Sequence, residues 1–347
     1  LTYSRRAFDA GSDINPAALL NNYGSQTSET QAATRSLLEA LESDYPDDAR
    51  SLFAIALLEW HQGNSDVAVT KLDKLFTIEA FHERGILLLT EILSQADDPD
   101  AFDPLRKAIE TINSGLLRYQ YARYLLGKQK LTQAKAQFDV LVADPAATVD
   151  HLIGAAVLDI ELSDLPSALL HLDRALSYGQ RVSDAQFFKA LALMQLDDVP
   201  GALKALGAVG PSTNYARALQ EAAAILASQG DIGVANTFFE QHRQTHADGA
   251  ELNFASHAET LQILGSIEAE SVLNQGISAF PTSTRLLYAR ANFRERAGFF
   301  DLAEADYRQI LSLNPGDANA LNALGYALTN NTDRFQEAVG LLEEAIS

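Results

Sequence analysis

The sequence predicts an all-α chain wound as a right-handed α-solenoid of about nine helical hairpins, and three observations carry that prediction. Small residues recur at a step of 33 to 34 along the chain: Ala56, Leu89, Ala122, Ala156, Ala190, Ala223, His257, Ala291 and Gly325. A second series follows twelve residues later in each unit: Ala68, Ala101, Ala134, Ala168, Ala202, Ala235, Ala269 and Ala303. A large residue then stands four positions on, as Leu72, Leu105, Phe138, Leu172, Leu206, Phe239, Leu273 and Tyr307, with Leu342 its counterpart in the last unit. A sustained period that pairs two helix-length segments marks stacked hairpins. They share one continuous core and need no domain boundary.

The elements follow in order. Residues 1–13 have no periodicity and are expected to form an arm, disordered or strand-like. A short helix is expected around Pro16 to Tyr23, then an amphipathic helix over Ala32 to Leu41 that ends at Asp44-Tyr45-Pro46. Residues 1–48 therefore read as an N-terminal arm plus a degenerate repeat, and 49–347 as the repeat superhelix. Units begin near Ala49, His82, Gly115, Val149, Ser183, Ala216, Ala250, Thr284 and Ala318. Pro46, Pro145, Pro281 and Pro315 fall between candidate helices, where a residue that cannot continue a helix suits a turn. The unit from Thr284 shows the logic most completely. Leu287 and Ala291 lie on its first helix, Gly298 makes the turn, Ala303 and Tyr307 lie on the second helix, and Asn314-Pro315 closes it. Ala291 and Ala303 face each other where two antiparallel helices come closest, and a larger side chain would push them apart. Solenoids usually end in a polar cap, so the protein is expected to continue past Ser347.

These positions resemble the tetratricopeptide repeat, a 34-residue helix–turn–helix unit, from Ala49 onward. Three departures stand out: His257 takes a small-residue position, Arg290 takes an apolar one, and an extra residue lies near Thr332-Asp333. The resemblance implies a non-enzymatic scaffold whose inner, concave surface is lined by the first helix of each unit, chiefly its second, fifth, ninth and twelfth residues. The stretch Leu321-Asn322-Ala323-Leu324-Gly325-Tyr326-Ala327-Leu328, followed by Thr332-Asp333-Arg334-Phe335-Gln336-Glu337-Ala338, is similar to the last repeats of bacterial outer-membrane tetratricopeptide lipoproteins. Some of those are adaptors of carboxy-terminal processing proteases. That likeness implies a periplasmic, outer-membrane-anchored protease adaptor or envelope assembly factor, with a lipid anchor upstream of the chain. The alternatives are a cytoplasmic co-chaperone scaffold and a regulatory or substrate-binding segment of a larger enzyme. Oligomers formed through the ends of the solenoid stay open.

Composition narrows the partners. The formal net charge is −20 with no run of basic residues, a field that repels phosphate backbones, so no nucleic-acid partner is expected. There is no cysteine, which excludes disulfides and thiolate metal sites. No apolar run approaches the roughly 20 residues that span a bilayer. His242 and His246 have the i, i+4 spacing of two metal ligands, but no third ligand is signalled and no glutamate lies between them. They read as solvated histidines at a helix end. No phosphate loop, nucleophile elbow or acid–base pair is visible. Catalytic residues, metal ligands and cofactors are therefore all expected to be absent.

The fifth residues of the first helices are Phe53, Ile86, Tyr119, Ile153, Phe187, Gln220, Phe254, Tyr288 and Asn322. An aromatic row offers contact area at low entropic cost to a protein or peptide partner. The same rings could pack between adjacent first helices, or do both. The last two units add Arg285, Asn292, Arg296, Asn319 and Tyr326, whose amide and guanidinium groups can hold a peptide backbone or a carboxylate. The expected partner-binding set is Phe53, Tyr119, Phe187, Phe254, Tyr288, Asn292, Asn322 and Tyr326. Some tetratricopeptide proteins clamp a terminal carboxylate with a lysine at the fifth position and an asparagine at the ninth. Asn292 matches the second of these, but Tyr288 stands in place of the lysine.

Overall fold

The structure, a computed structural model, describes residues 16–21 and 23–346, so the arm expected over residues 1–13 lies outside it. Among the described residues all regular structure is helical, with nineteen α-helices and three short 3₁₀ segments. The chain forms two compact units, Leu1–Ala147 and Thr148–Ser347, divided within the stretch that the periodicity treats as continuous.

The first unit opens with 3₁₀ segments Pro16–Leu20 and Tyr23–Ser25 and helix α1, Ser28–Asp44. Three hairpins follow: α2 Ala49–His61 with α3 Ser65–Ile78, α4 Glu83–Gln95 with α5 Asp103–Thr111, and α6 Gly115–Gly127 with α7 Leu131–Ala143. The degenerate repeat is not set apart. Its Leu20, Tyr23, Leu38 and Leu41 share one core with Leu52, Ile55, Leu58 and Leu72 of the first hairpin. The second hairpin is looser than its neighbours. Leu89 replaces the alanine at its crossing, and α5 is only nine residues long, so the two helices neither approach closely nor run far together.

The second unit contains six hairpins: α8 Val149–Glu161 with α9 Leu165–Ser177, α10 Val182–Gln195 with α11 Val199–Gly207, α12 Tyr215–Gln229 with α13 Ile232–Thr245, α14 Ala250–Ile263 with α15 Glu268–Ala279, α16 Thr284–Arg296 with α17 Phe300–Leu313, and α18 Ala318–Asn331 with α19 Phe335–Ala345. Side chains cap most of the first helices. Asp48, His82, Ser114, Thr148, Ser283 and Asp317 each accept from a backbone N–H three residues on, satisfying a donor the helix leaves open.

Packing bears out the small-residue series. All eight alanines of the second series are buried to 1% exposure or less, as are Phe138, Phe239 and Tyr307. The first series slips in two places. In the sixth hairpin Ala222 is fully buried while Ala223 is only partly covered, because α12 starts one residue earlier than the spacing implies. In the seventh, Ala258 packs with Ala269 and Leu273, while His257 stacks on Phe239 of the preceding helix at 4.9 Å. The helices α12 and α13 meet little, and both pack on α14 instead. At the end of the chain the packing is tight. A Cβ on Gly325 would lie 2.8 Å from Leu342 Cγ and 3.1 Å from the Ala338 carbonyl.

The turn within each of the first eight hairpins is nearly invariant in geometry although not in sequence. Gly63, Asp97, Gln129, Ser163, Asp197, Gly230, Gly265 and Gly298 all have positive φ. In seven of these turns the next residue donates its N–H to the carbonyl five positions back, as in Asn64→Glu59, Lys130→Leu125 and Phe299→Arg294. This is the αL helix stop that glycine adopts without strain, and four units make it with a side chain in place.

Candidate partner-binding face

Most of the aromatic row holds the scaffold together. Phe53 and Phe187 are 3% and 0% exposed. Each is covered by an arginine of the next first helix: Arg84 lies 4.9 Å from the Phe53 centroid and Arg217 lies 5.3 Å from that of Phe187. Neither ring has a surface to offer, which corrects the expectation that they anchor a partner. Tyr119 and Phe254 are half-buried, Tyr119 edge-on to Phe138 at 6.0 Å and Phe254 under Arg243 at 4.3 Å. Tyr288 is also half-buried, and its hydroxyl donates to Asp317 Oδ1 at 2.8 Å, tying α16 to the N-cap of α18. Burial, followed by that hydrogen bond, raises its pKa. Phe53, Phe187 and Tyr288 thus pack toward the next first helix, whereas Tyr119 and Phe254 are covered from second helices, by Phe138 of α7 and Arg243 of α13.

The accessible part of the predicted set lies in the last two hairpins. Asn292, Asn322 and Tyr326 are exposed, Tyr326 to 63%. Arg285, Arg296, Asn319 and Asn330 are exposed as well. On α16, Arg285, Asn292 and Arg296 are spaced i, i+7, i+11 and form one stripe. It lies opposite the buried Leu286, Leu287 and Ala291. Thirty-four residues on, Asn319, Tyr326 and Asn330 repeat that stripe on α18. Asn330 could have been found in the sequence by stepping one period from Arg296. Tyr307 Oη reaches Asn292 Oδ1 and Glu295 Oε2, both at 3.0 Å. With its oxygen engaged, Asn292 keeps its amide N–H groups for a ligand.

Arg290, the departure at an apolar position, belongs to the core. Its Nη2 and Nε reach the two oxygens of Asp306 at 2.6 and 3.1 Å, and Arg294 reaches Asp306 at 2.9 Å and Glu270 at 2.8 Å. Asp306 is 2% exposed. The cluster knits α15, α16 and α17 together, and losing one partner would leave an uncompensated buried charge.

The histidine pair departs from its expected place. His242 is 2% exposed, so it is not a solvated helix end. Its Nε2–H donates to the Val209 carbonyl at 3.1 Å, and its Nδ1 accepts from Asn253 at 3.1 Å. His257, 1% exposed, accepts from Arg243 on Nδ1 at 3.1 Å and donates from Nε2 to Asn236 Oδ1 at 2.7 Å. Burial, then the charge on neighbouring His246, lowers the His242 pKa to about 4. Burial, then Arg243, lowers that of His257 to about 3. This network fills the space that the splayed sixth hairpin leaves. Beside it, Leu203, Gly207, Val234, Phe238 and His242 line an open cleft of about 930 Å³ between α11 and α13. The cleft follows from the shortness of α11, nine residues from Val199 to Gly207 with Pro200 in its first turn. Among the described residues no group of three or more His, Cys, Asp or Glu could hold a metal ion, and no helix is long and apolar enough to cross a membrane.

Recurring helical hairpins of this kind define a helical-repeat fold, the sort that serves as an interaction scaffold. The tetratricopeptide repeat family model matches residues 26–77, 153–216 and 288–347, together just over half of the chain, and the protein belongs to that family. A TPR repeat-containing protein of Pseudomonas aeruginosa is 27% identical over 349 residues, covering 99% of this chain and 59% of the relative. The chain thus spans less than two thirds of that relative's length. Among solved structures, the C-terminal part of a TPR repeat-containing protein from Cytophaga hutchinsonii is similar at 17% identity and a TM-score of 0.42, covering 66% of this chain and 94% of its own. PilW, a type IV pilus biogenesis factor, is similar at 16% identity and a TM-score of 0.40, covering 69% of this chain and 96% of its own.

Proposed function

We propose that the protein is a non-enzymatic adaptor that holds a polypeptide partner against the first helices of its last two hairpins. One observation carries this reading. The rings of the aromatic row are buried or half-buried against the scaffold, whereas α16 and α18 present exposed stripes of Arg285, Asn292, Arg296, Asn319, Tyr326 and Asn330. A single exposed tyrosine among amide and guanidinium donors suits a peptide backbone and its side chains, since such rings often anchor interfaces. The likeness of residues 321–338 to the closing repeats of outer-membrane lipoprotein adaptors supports a place in a bacterial envelope, bringing a substrate or enzyme to a protease. A photo-crosslinking residue at position 326 tests the reading, with Gln309, exposed on the second helix α17, as control. In envelope and cytosolic fractions the Tyr326 position should capture a discrete partner that the Gln309 position does not. Equal capture at both positions, or none at Tyr326, would refute the assignment of this face.

A further inference from the structure

We propose that the face formed by α16 and α18 selects an acidic segment of its partner, with Arg285 and Arg296 as the two carboxylate-reading groups. The inference rests on the partner-binding role of this face and adds the chemistry of the occupant. The chain carries a net charge of −20, yet α16 holds four arginines against the single Glu295, and α18 holds no charged residue. Other arginines of these hairpins are committed to carboxylates: Arg290 and Arg294 to Asp306, and Arg308 and Arg334 to Glu304 and Glu337. Arg285 and Arg296 have no carboxylate within ion-pair reach among the described residues, and both are exposed.

The carboxylates flanking the stripe are tied down by hydroxyl groups. Glu251, one period before Arg285, accepts from Ser283 Oγ at 2.6 Å. Glu295 is reached by Tyr307 at 3.0 Å and Asp317 by Tyr288 at 2.8 Å. The nearby negative charge is thus held by neutral donors while two guanidiniums on one helical stripe stay open. Eleven residues of helix separate them by about 16 Å. An extended peptide covers that distance in about five residues. Between them Asn292 offers amide donors, and across the joint stand Tyr326 and the amides of Asn319, Asn322 and Asn330. Guanidinium forks favour carboxylates over neutral acceptors, and their positive charge repels a lysine-bearing peptide.

The protein's own field makes the test sharp, because a net charge of −20 by itself favours basic ligands. Binding of three fluorescein-labelled extended peptides of one scaffold, with polar positions all Glu, all Gln or all Lys, is measured by anisotropy at low salt. The Glu peptide should bind most tightly to this chain. Arg285→Gln and Arg296→Gln should each weaken it by about two- to fivefold, as expected of an exposed ion pair. The double variant should erase the preference over the Gln peptide, while Lys204→Gln on α11 changes nothing. A Glu peptide that binds no better than the Gln peptide, or a preference that survives in the double variant, overturns the inference. The partner-binding role itself fails separately. Crosslinking at Tyr326 that persists unchanged in the double arginine variant sinks the acidic selectivity alone, whereas loss of that crosslink in the unaltered chain sinks the role of the face.

Discussion

Acidification below pH 6.5 should destabilise the second unit through His242 and His257, and the hydrogen bonds fix the sign. Val209 offers His242 only a carbonyl, so Nε2 carries the proton and Nδ1 must accept from Asn253. At His257 the guanidinium of Arg243 can only donate, so Nδ1 again has to be bare. A second proton on either ring would face a donor, and in His257 a cation. Folded pKa values of about 4 and about 3 lie below the ordinary 6.5. The stability these rings contribute is therefore complete above pH 6.5. It falls as pH drops below that value, at about 1.4 kcal/mol per pH unit for each ring, and levels off only near their folded values. Between pH 8 and pH 5 each ring should cost the fold about 2 kcal/mol, a large share of the 5–15 kcal/mol typical of a domain. Urea unfolding followed by circular dichroism at several pH values measures the loss. His257→Gln, which keeps a donor and an acceptor but cannot titrate, should flatten the profile between pH 6.5 and 5 by about 1.4 kcal/mol per unit. Wild-type and variant profiles running parallel through that window, or an NMR titration of His257 near 6.5, would refute the argument.

Three substitutions probe the packing. Ala222→Leu should destabilise by about 1–3 kcal/mol through overpacking, while Ala223→Leu, on the partly covered neighbour, costs clearly less; equal thermal shifts would put the register of α12 back one residue. Gly325→Ala should lower the melting temperature even though alanine favours a helix interior by about 0.5–1 kcal/mol, because its Cβ meets Leu342 and the Ala338 carbonyl. A rise instead would show that α18 and α19 can separate freely. Gln129→Gly, at a φ of 56° in the third turn, should stabilise by about 0.5–1 kcal/mol in chemical denaturation, and a loss would mean the side chain contributes more than its backbone strain removes.

The legible features were those that repeat. Every hairpin start lies within one residue of the position that spacing implies, since an alanine at a close helix crossing is a steric demand that recurs in each unit. The turns were legible only where glycine marks them. At Asp97, Gln129, Ser163 and Asp197 the same αL stop is imposed by packing on either side, with no local signal in the chain. The burial of Phe53 and Phe187 was not legible for a related reason. A fifth-position ring is apolar both when it seals a joint and when it greets a partner, and the arginine that covers it, Arg84 over Phe53 or Arg217 over Phe187, lies about thirty residues away. Charge told more than apolarity here. Whether an arginine is spent or open depends on carboxylates from other helices: Asp306 takes Arg290 and Arg294, whereas hydroxyls hold the acids near Arg285 and Arg296. The sequence shows α16 to be basic in an acidic chain, and packing decides which two of its four arginines stay without a carboxylate.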